Sequence, residues 1–202
     1  MRARRLTDSL HGFSLVEILV VVGLIGVVSA IAAPMVGNAL GFFRLSGDAR
    51  STANSIALAK MRASSVFGRE RLYADLSTNQ FHLETFDKAT STWVVDGGTV
   101  TLSQRVRFGF APVGTPPPNS TPAINQAPLC KNNAVPPADV ANTACIIFNS
   151  RGTPIDSTGA PNGLGTLYLT DGSAVYGVAV SATGMARTWR TVASASPTWT
   201  AE

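Results

Sequence analysis

The stretch GFSLVEILVVVGLIGVVSAIAAPMV, running from Gly12 to Val36, decides how the rest of this 202-residue chain is read. Between Ile18 and Phe43 no residue is charged. About 20 apolar residues are enough to cross the hydrocarbon core of a bilayer as a helix. Arg2, Arg4 and Arg5, opposed only by Asp8, stand ahead of this segment. By the positive-inside rule they keep residues 1–12 cytoplasmic and send the C-terminal part across the membrane.

Two simpler accounts compete with a specialised role for the segment. An ordinary secretory signal is cleaved after its apolar run, behind small residues, and Ala30-Ile31-Ala32 imitates such a site. A plain anchor is the other. Neither explains Glu17, because an acid costs roughly 2.5–3.5 kcal/mol at the bilayer centre and less near the interface. Phe13 and Glu17 are four residues apart and share one helix face. Cleavage after Gly12 creates a charged amine on Phe13, near its own carboxylate and within reach of a neighbour's. A buried carboxylate left unmet is costly, which favours correct register over random packing.

The order Gly12-Phe13-Ser14-Leu15-Val16-Glu17 ahead of an apolar helix resembles the class III signal of type IV pilins and type II secretion pseudopilins. The resemblance implies a prepilin peptidase that cuts after Gly12 and methylates the new N-terminal Phe13. It implies that Glu17 serves assembly with other pilin or pseudopilin subunits. Pro34 falls where these helices commonly carry a proline. The expected organisation is a cleaved leader over residues 1–12, a transmembrane and assembly helix over 13–36, and an amphipathic continuation over 37–68. A β domain over 69–192 and a loosely held tail over 193–202 follow.

In the continuation, Leu40, Phe43, Ile56, Met61 and Phe67 recur at roughly helical spacing. Arg44, Asp48, Arg50, Lys60 and Arg62 interleave on the other face. Gly37, Gly41 and Gly47 weaken the helix, each by roughly 1 kcal/mol relative to Ala, and with Pro34 they suggest a place to bend or melt when subunits pack. Gly68 is the expected stop.

Beyond Gly68 the pattern changes to short β segments. Residues 71–76 and 81–86 alternate around Ser77-Thr78-Asn79-Gln80 and read as a hairpin. Residues 93–95 lead through Asp96-Gly97-Gly98 into an expected strand over 99–110. In it Arg105 and Arg107 share one face and Val106, Phe108 and Phe110 the other. Residues 111–140, rich in Pro, Asn and Ala, read as a long surface loop. Strands resume at 145–149, 165–170, 174–181 and 186–192, with Asp171-Gly172 as a tight turn. Cys130 and Cys145 lack the spacing of a metal or redox pair. In an oxidising compartment one structural disulfide is the simple reading, adding about 3 kcal/mol by the chain-entropy estimate; two buried free thiols are the alternative.

The run from Ile146 through Phe148 to Gly152, the segment 165–169 and the hairpin 175–184 ending at Gly184 resemble the C-terminal domain of the GspH/FimT minor pseudopilins and pilins. The implied fold class is α+β and pilin-like: a long helix packed on two small antiparallel sheets. The implied function is a structural minor subunit of a type II secretion pseudopilus or type IV pilus, assisting initiation at the tip. The implied location is the bacterial inner membrane, crossed once, with the β domain in the periplasm.

The sequence carries no zinc-spaced Cys/His cluster, P-loop or Gly-x-Ser-x-Gly, so neither enzymatic chemistry nor a metal or cofactor is expected. His82 reads as a surface or packed residue. FimT-like pilins are associated with DNA uptake through a basic Gly-Arg-x-Arg motif. Here the order is Gly184-Met185-Ala186-Arg187, with Trp189 and Arg190 beyond, so one arginine is replaced by methionine. Arg187 and Arg190 are candidates for phosphate contact, with Trp189 stacking. DNA binding is therefore the alternative to a purely structural role.

Overall fold

The structure is a computed structural model that describes residues 14–118, 120–163 and 165–202. The leader, the expected cleavage site at Gly12 and the expected methylation site at Phe13 lie outside the described residues. The chain divides into two compact units, the first ending at Leu40 and the second spanning Gly41–Glu202. The sequence reading ends the membrane segment at residue 36.

Helix α1 (Leu15–Ser65) opens on a cap: the Glu17 N–H donates to Ser14 Oγ at 3.2 Å. Ser14 and Glu17 have the S-x-x-E spacing of a capping box. The backbone is helical through Pro34, Gly37, Gly41 and Gly47. The helix ends at Ser65, three residues before the expected stop. Phe67 takes the left-handed conformation (φ 49°), and the Gly68 N–H closes back on the Ala63 carbonyl at 3.1 Å. That six-to-one bond is a Schellman closure, normally built around glycine.

In the second unit α1 buries Leu45, Ala49, Thr52, Ile56, Ala59 and Ala63, spaced alternately four and three apart. This stripe corrects the expected face. Phe43, Met61 and Phe67 are 67%, 61% and 76% exposed, and of the five large apolar residues read from the sequence only Ile56 is buried. Small side chains let the sheets approach closely, and the sheets supply the bulk.

Strands β1 (Glu70–Asp75) and β2 (Gln80–Asp87) form the expected hairpin, pairing Leu72 with Leu83. The Asp75 carboxylate holds its turn, accepting from the Ser77 N–H at 2.8 Å and the Thr78 N–H at 3.1 Å. Strand β3 (Thr92–Val95) and the two-residue β4 (Val100–Thr101) both pair with β2 rather than with each other. Asp96-Gly97-Gly98 is therefore a jog along one sheet edge, with Gly97 at φ 101°.

The expected strand over 99–110 does not form as one piece. After β4 the chain leaves the first sheet, and β5 (Arg107–Phe108) joins the second by pairing with β8 (Gly165–Thr170). Asp48 of α1 binds the crossing turn, accepting from the Ser103 N–H at 2.7 Å and its hydroxyl at 3.0 Å. Arg105 there has φ 72°. The inside–outside alternation survives: Val106 and Phe108 are buried, Arg105 and Arg107 exposed.

Strands β6 (Thr143–Phe148) and β7 (Pro154–Ile155) complete the first sheet, in the order β3-β2-β1-β6-β7. Strands β9 (Ala174–Val180), β10 (Ala186–Val192) and β11 (Thr200–Ala201) complete the second, in the order β11-β10-β9-β8-β5. All pairs are antiparallel. One apolar cluster joins the helix stripe to Leu72, Phe81 and Phe148 of the first sheet and to Leu167, Tyr176 and Val178 of the second.

The tail is not loosely held. β11 pairs with β10, and Tyr176 OH donates to the Glu202 carboxylate at 3.0 Å. Trp199 tilts against the Tyr168 ring and donates through its indole N–H to the Thr115 carbonyl.

The loop over 111–140 lies across both sheets. Cys130 and Cys145 form a disulfide, with Cα atoms 5.0 Å apart, which settles the choice against free thiols. Asn133 accepts from the Trp93 N–H at 2.7 Å and donates to the Trp93 carbonyl at 3.1 Å on β3. Gln126 does the same on β8, accepting from the Tyr168 N–H at 2.9 Å and donating to its carbonyl at 3.0 Å. Each side-chain amide stands where a neighbouring strand's peptide would.

Candidate functional site

Three places bear on function: the N-terminal turn of α1, the β10 surface and the charged residues of the first sheet.

Glu17 lies in the first turn of α1 and is exposed. An acid there meets the partial positive charge of the helix N-terminus. From Leu15 to Ala32 the helix is long and apolar enough to cross a membrane, and all its side chains are exposed. Glu17 is the only charge between Leu15 and Phe43. An uncovered apolar surface of this extent requires lipid or protein cover.

Strand alternation divides the residues considered for DNA contact. Arg187 and Trp189 point to one face of β10; Arg190 points to the other. Arg187 and Trp189 border a shallow surface pocket with Pro118, Ala179, Ser181 and Met185. The Arg190 guanidinium instead stacks over Phe42 of α1, 4.9 Å from the ring centroid, and its Nε is buried. The expected trio therefore does not form one surface. The preceding turn is tightly built: Gly184 has φ 72°, and a Cβ there would meet the Gly152 carbonyl oxygen at 2.4 Å. Lys60 of α1 donates to the Thr183 carbonyl at 3.0 Å, tying this turn to the helix.

The first sheet carries charges on both faces. Toward α1, Glu70 is fully buried. Thr85 Oγ1 donates to its Oε1, while Oε2 has no partner among the described residues. Arg62 pairs with the nearby Asp96. Burial pushes the Glu70 carboxyl above its ordinary value; the Thr85 hydrogen bond opposes this and the Asp96 charge adds to it. On the outer face Arg71, 3% exposed, pairs with Glu84 and donates to the Lys131 carbonyl at 2.8 Å. His82 stacks on Tyr73 with ring centroids 5.0 Å apart, and its Nε2 lies 3.3 Å from Glu84. No group of three or more metal-ligating side chains occurs among the described residues. The sequence reading did not single out Glu70; strand alternation puts it on the side of Leu72 and Ala74.

No protein-family model and no curated protein matches the sequence. Among solved structures, two of the minor pseudopilin EpsH from the type II secretion system of Vibrio cholerae align with it at 12% identity. One alignment covers 79% of this chain and 96% of the other at a TM-score of 0.37; the second covers 77% and 95% at 0.43. The architecture of one helix on two antiparallel sheets stands on the chain's own pairings.

Proposed function

We propose that this protein is a membrane-anchored, pilin-like filament subunit of the type II secretion pseudopilus or type IV pilus kind. The observation that carries the reading is Glu17: one exposed acid in the first turn of α1, whose stretch Leu15–Ala32 is otherwise uncharged, apolar and uncovered. In this reading a prepilin peptidase cuts between Gly12 and Phe13 and methylates the Phe13 amine. The helix holds the subunit in the inner membrane until assembly, with the β domain in the periplasm. The new amine of one subunit meets Glu17 of another, so cleavage and assembly share one charge pair. The subunit acts as a minor component near the filament tip.

The test is Glu17→Ala. The variant should insert and be cleaved normally but be absent from sheared filaments, as read by immunoblot. Normal incorporation of this variant overturns the pairing.

A second reading, DNA capture, draws on Arg187 and Trp189 standing side by side on one face of β10. A single arginine beside one stacking ring supports weak, salt-sensitive contact with a single strand. Unchanged oligonucleotide affinity at low salt on Arg187→Ala removes it.

A further inference from the structure

The uncharged run of α1 is longer than a hydrocarbon core requires. It extends from Ile18 to Phe43, about 39 Å of helix at about 1.5 Å per residue. The core of a bilayer is about 30 Å thick, and about 40–45 Å with both headgroup layers. With Glu17 at one interface, the core ends near Gly37. The residues from there to Phe43 then fall at headgroup depth on the opposite side. Arg44 is the first charge met beyond them.

The second unit opens at that level. Phe42 and Phe43 are 40% and 67% exposed, although they stand at the start of a folded domain. Their rings meet edge-on with centroids 5.7 Å apart. Arg190 of β10 lies over Phe42, and a Cβ on Gly41 would stand 3.8 Å from Asp171 Oδ2 in the β8–β9 turn. Rings without cover, next in the chain to an arginine, suit the boundary of lipid and water. There an apolar body and a cationic tip each find their own solvent.

Charges of both signs stand near the rings. Arg44 is exposed and makes no ion pair among the described residues. Asp48 is taken by Ser103, Asp171 by the N–H groups of Ser173 and Ala174, and Glu202 by the Tyr176 hydroxyl. A zwitterionic headgroup presents phosphate and ammonium side by side and meets both signs. Net charge therefore does not select the occupant; depth along the chain does.

We propose that Phe42 and Phe43, with Arg44 beside them, form an interfacial anchor in the phospholipid headgroup layer on the side of the bilayer opposite Glu17. The apolar helix by itself only tethers the β domain. The anchor fixes the level at which that domain begins, flush with the bilayer surface, and assembly into a filament withdraws both rings from lipid. The inference rests on the filament reading for its membrane setting.

The experiment uses the full chain in vesicles of phosphatidylethanolamine and phosphatidylglycerol at low protein density. Gly47 is exposed, four residues beyond Phe43, and a Cβ there meets nothing within 4 Å. Gly47→Cys therefore carries a nitrobenzoxadiazole label with both rings intact, Cys130 and Cys145 being closed in their disulfide. Met61→Cys, at an exposed position farther along α1, carries the reference label. Lipids bearing a nitroxide on the headgroup should quench the label at 47 at least about twofold more than that at 61, as expected for a site in the interfacial layer. Replacing Phe42 and Phe43 by serine should remove most of that difference and open the label to aqueous iodide. Vesicle flotation is scored in parallel. Protein that floats but is quenched equally at both positions, or is indifferent to the serine replacements, overturns the anchor and leaves the filament reading standing. Failure to float overturns the membrane setting and the anchor with it. Quenching that follows protein density rather than nitroxide lipid assigns the rings to a second copy of the chain and overturns lipid as the occupant.

Discussion

Glu70 sits in the helix–sheet interface, one carboxyl oxygen without a partner among the described residues and Asp96 close by. Taking a charged carboxylate out of water is expensive, and burial raises the Glu70 carboxyl above its ordinary value. The folded state then binds a proton more tightly than the unfolded chain, whose value is near 4.5. By linkage, stability from this group is full below that value and is lost as pH rises through the folded value. Glu70→Gln, neutral and of the same shape, should flatten the decline. Urea unfolding at steps between pH 4.5 and 8 checks this: the wild type should lose stability across the window and the variant should lose less. A parallel decline in both proteins places the titrating group elsewhere.

At the scale of elements, the sequence reading found the hairpin of β1 and β2, the strands β8, β9 and β10, and the helix on two sheets. It chose the wrong face of α1 because it followed large apolar residues. Core contact there depends on how closely a sheet can approach, and alanine at 49, 59 and 63 permits that while scoring weakly on hydrophobicity. The same habit joined β4 to β5, since alternation continues across the turn at Ser103–Val106 although hydrogen bonding changes sheets. Two substitutions separate the faces. Ala59→Leu, in a position with no exposed surface, should destabilise by about 1–3 kcal/mol through overpacking. Met61→Ala, on the exposed face, should change stability by less than about 0.5 kcal/mol and lower filament incorporation. Thermal melts and sheared-filament blots read the two effects independently. A destabilised Met61→Ala with normal incorporation refutes the division.

Over the whole molecule, the loop between Ala111 and Val140 was the least legible part, because its work is done by single polar side chains at no fixed period. Only its cysteine was readable. The disulfide closes a sequence separation of 15, and replacing both cysteines by serine should cost about 3 kcal/mol in urea unfolding. A midpoint unchanged by that replacement shows that the loop's hydrogen bonds suffice alone. Asn133 and Gln126 have a further consequence. A β domain concentrated along a fibre risks a second, unwanted kind of growth, strand against strand, ending in amyloid-like aggregates. Each clamp fills one such docking position with an amide that cannot propagate, and the opposite ends of the sheets, β7 and β11, are only two residues long. In the filament reading, these features oppose β-type polymerisation and favour growth through the helix.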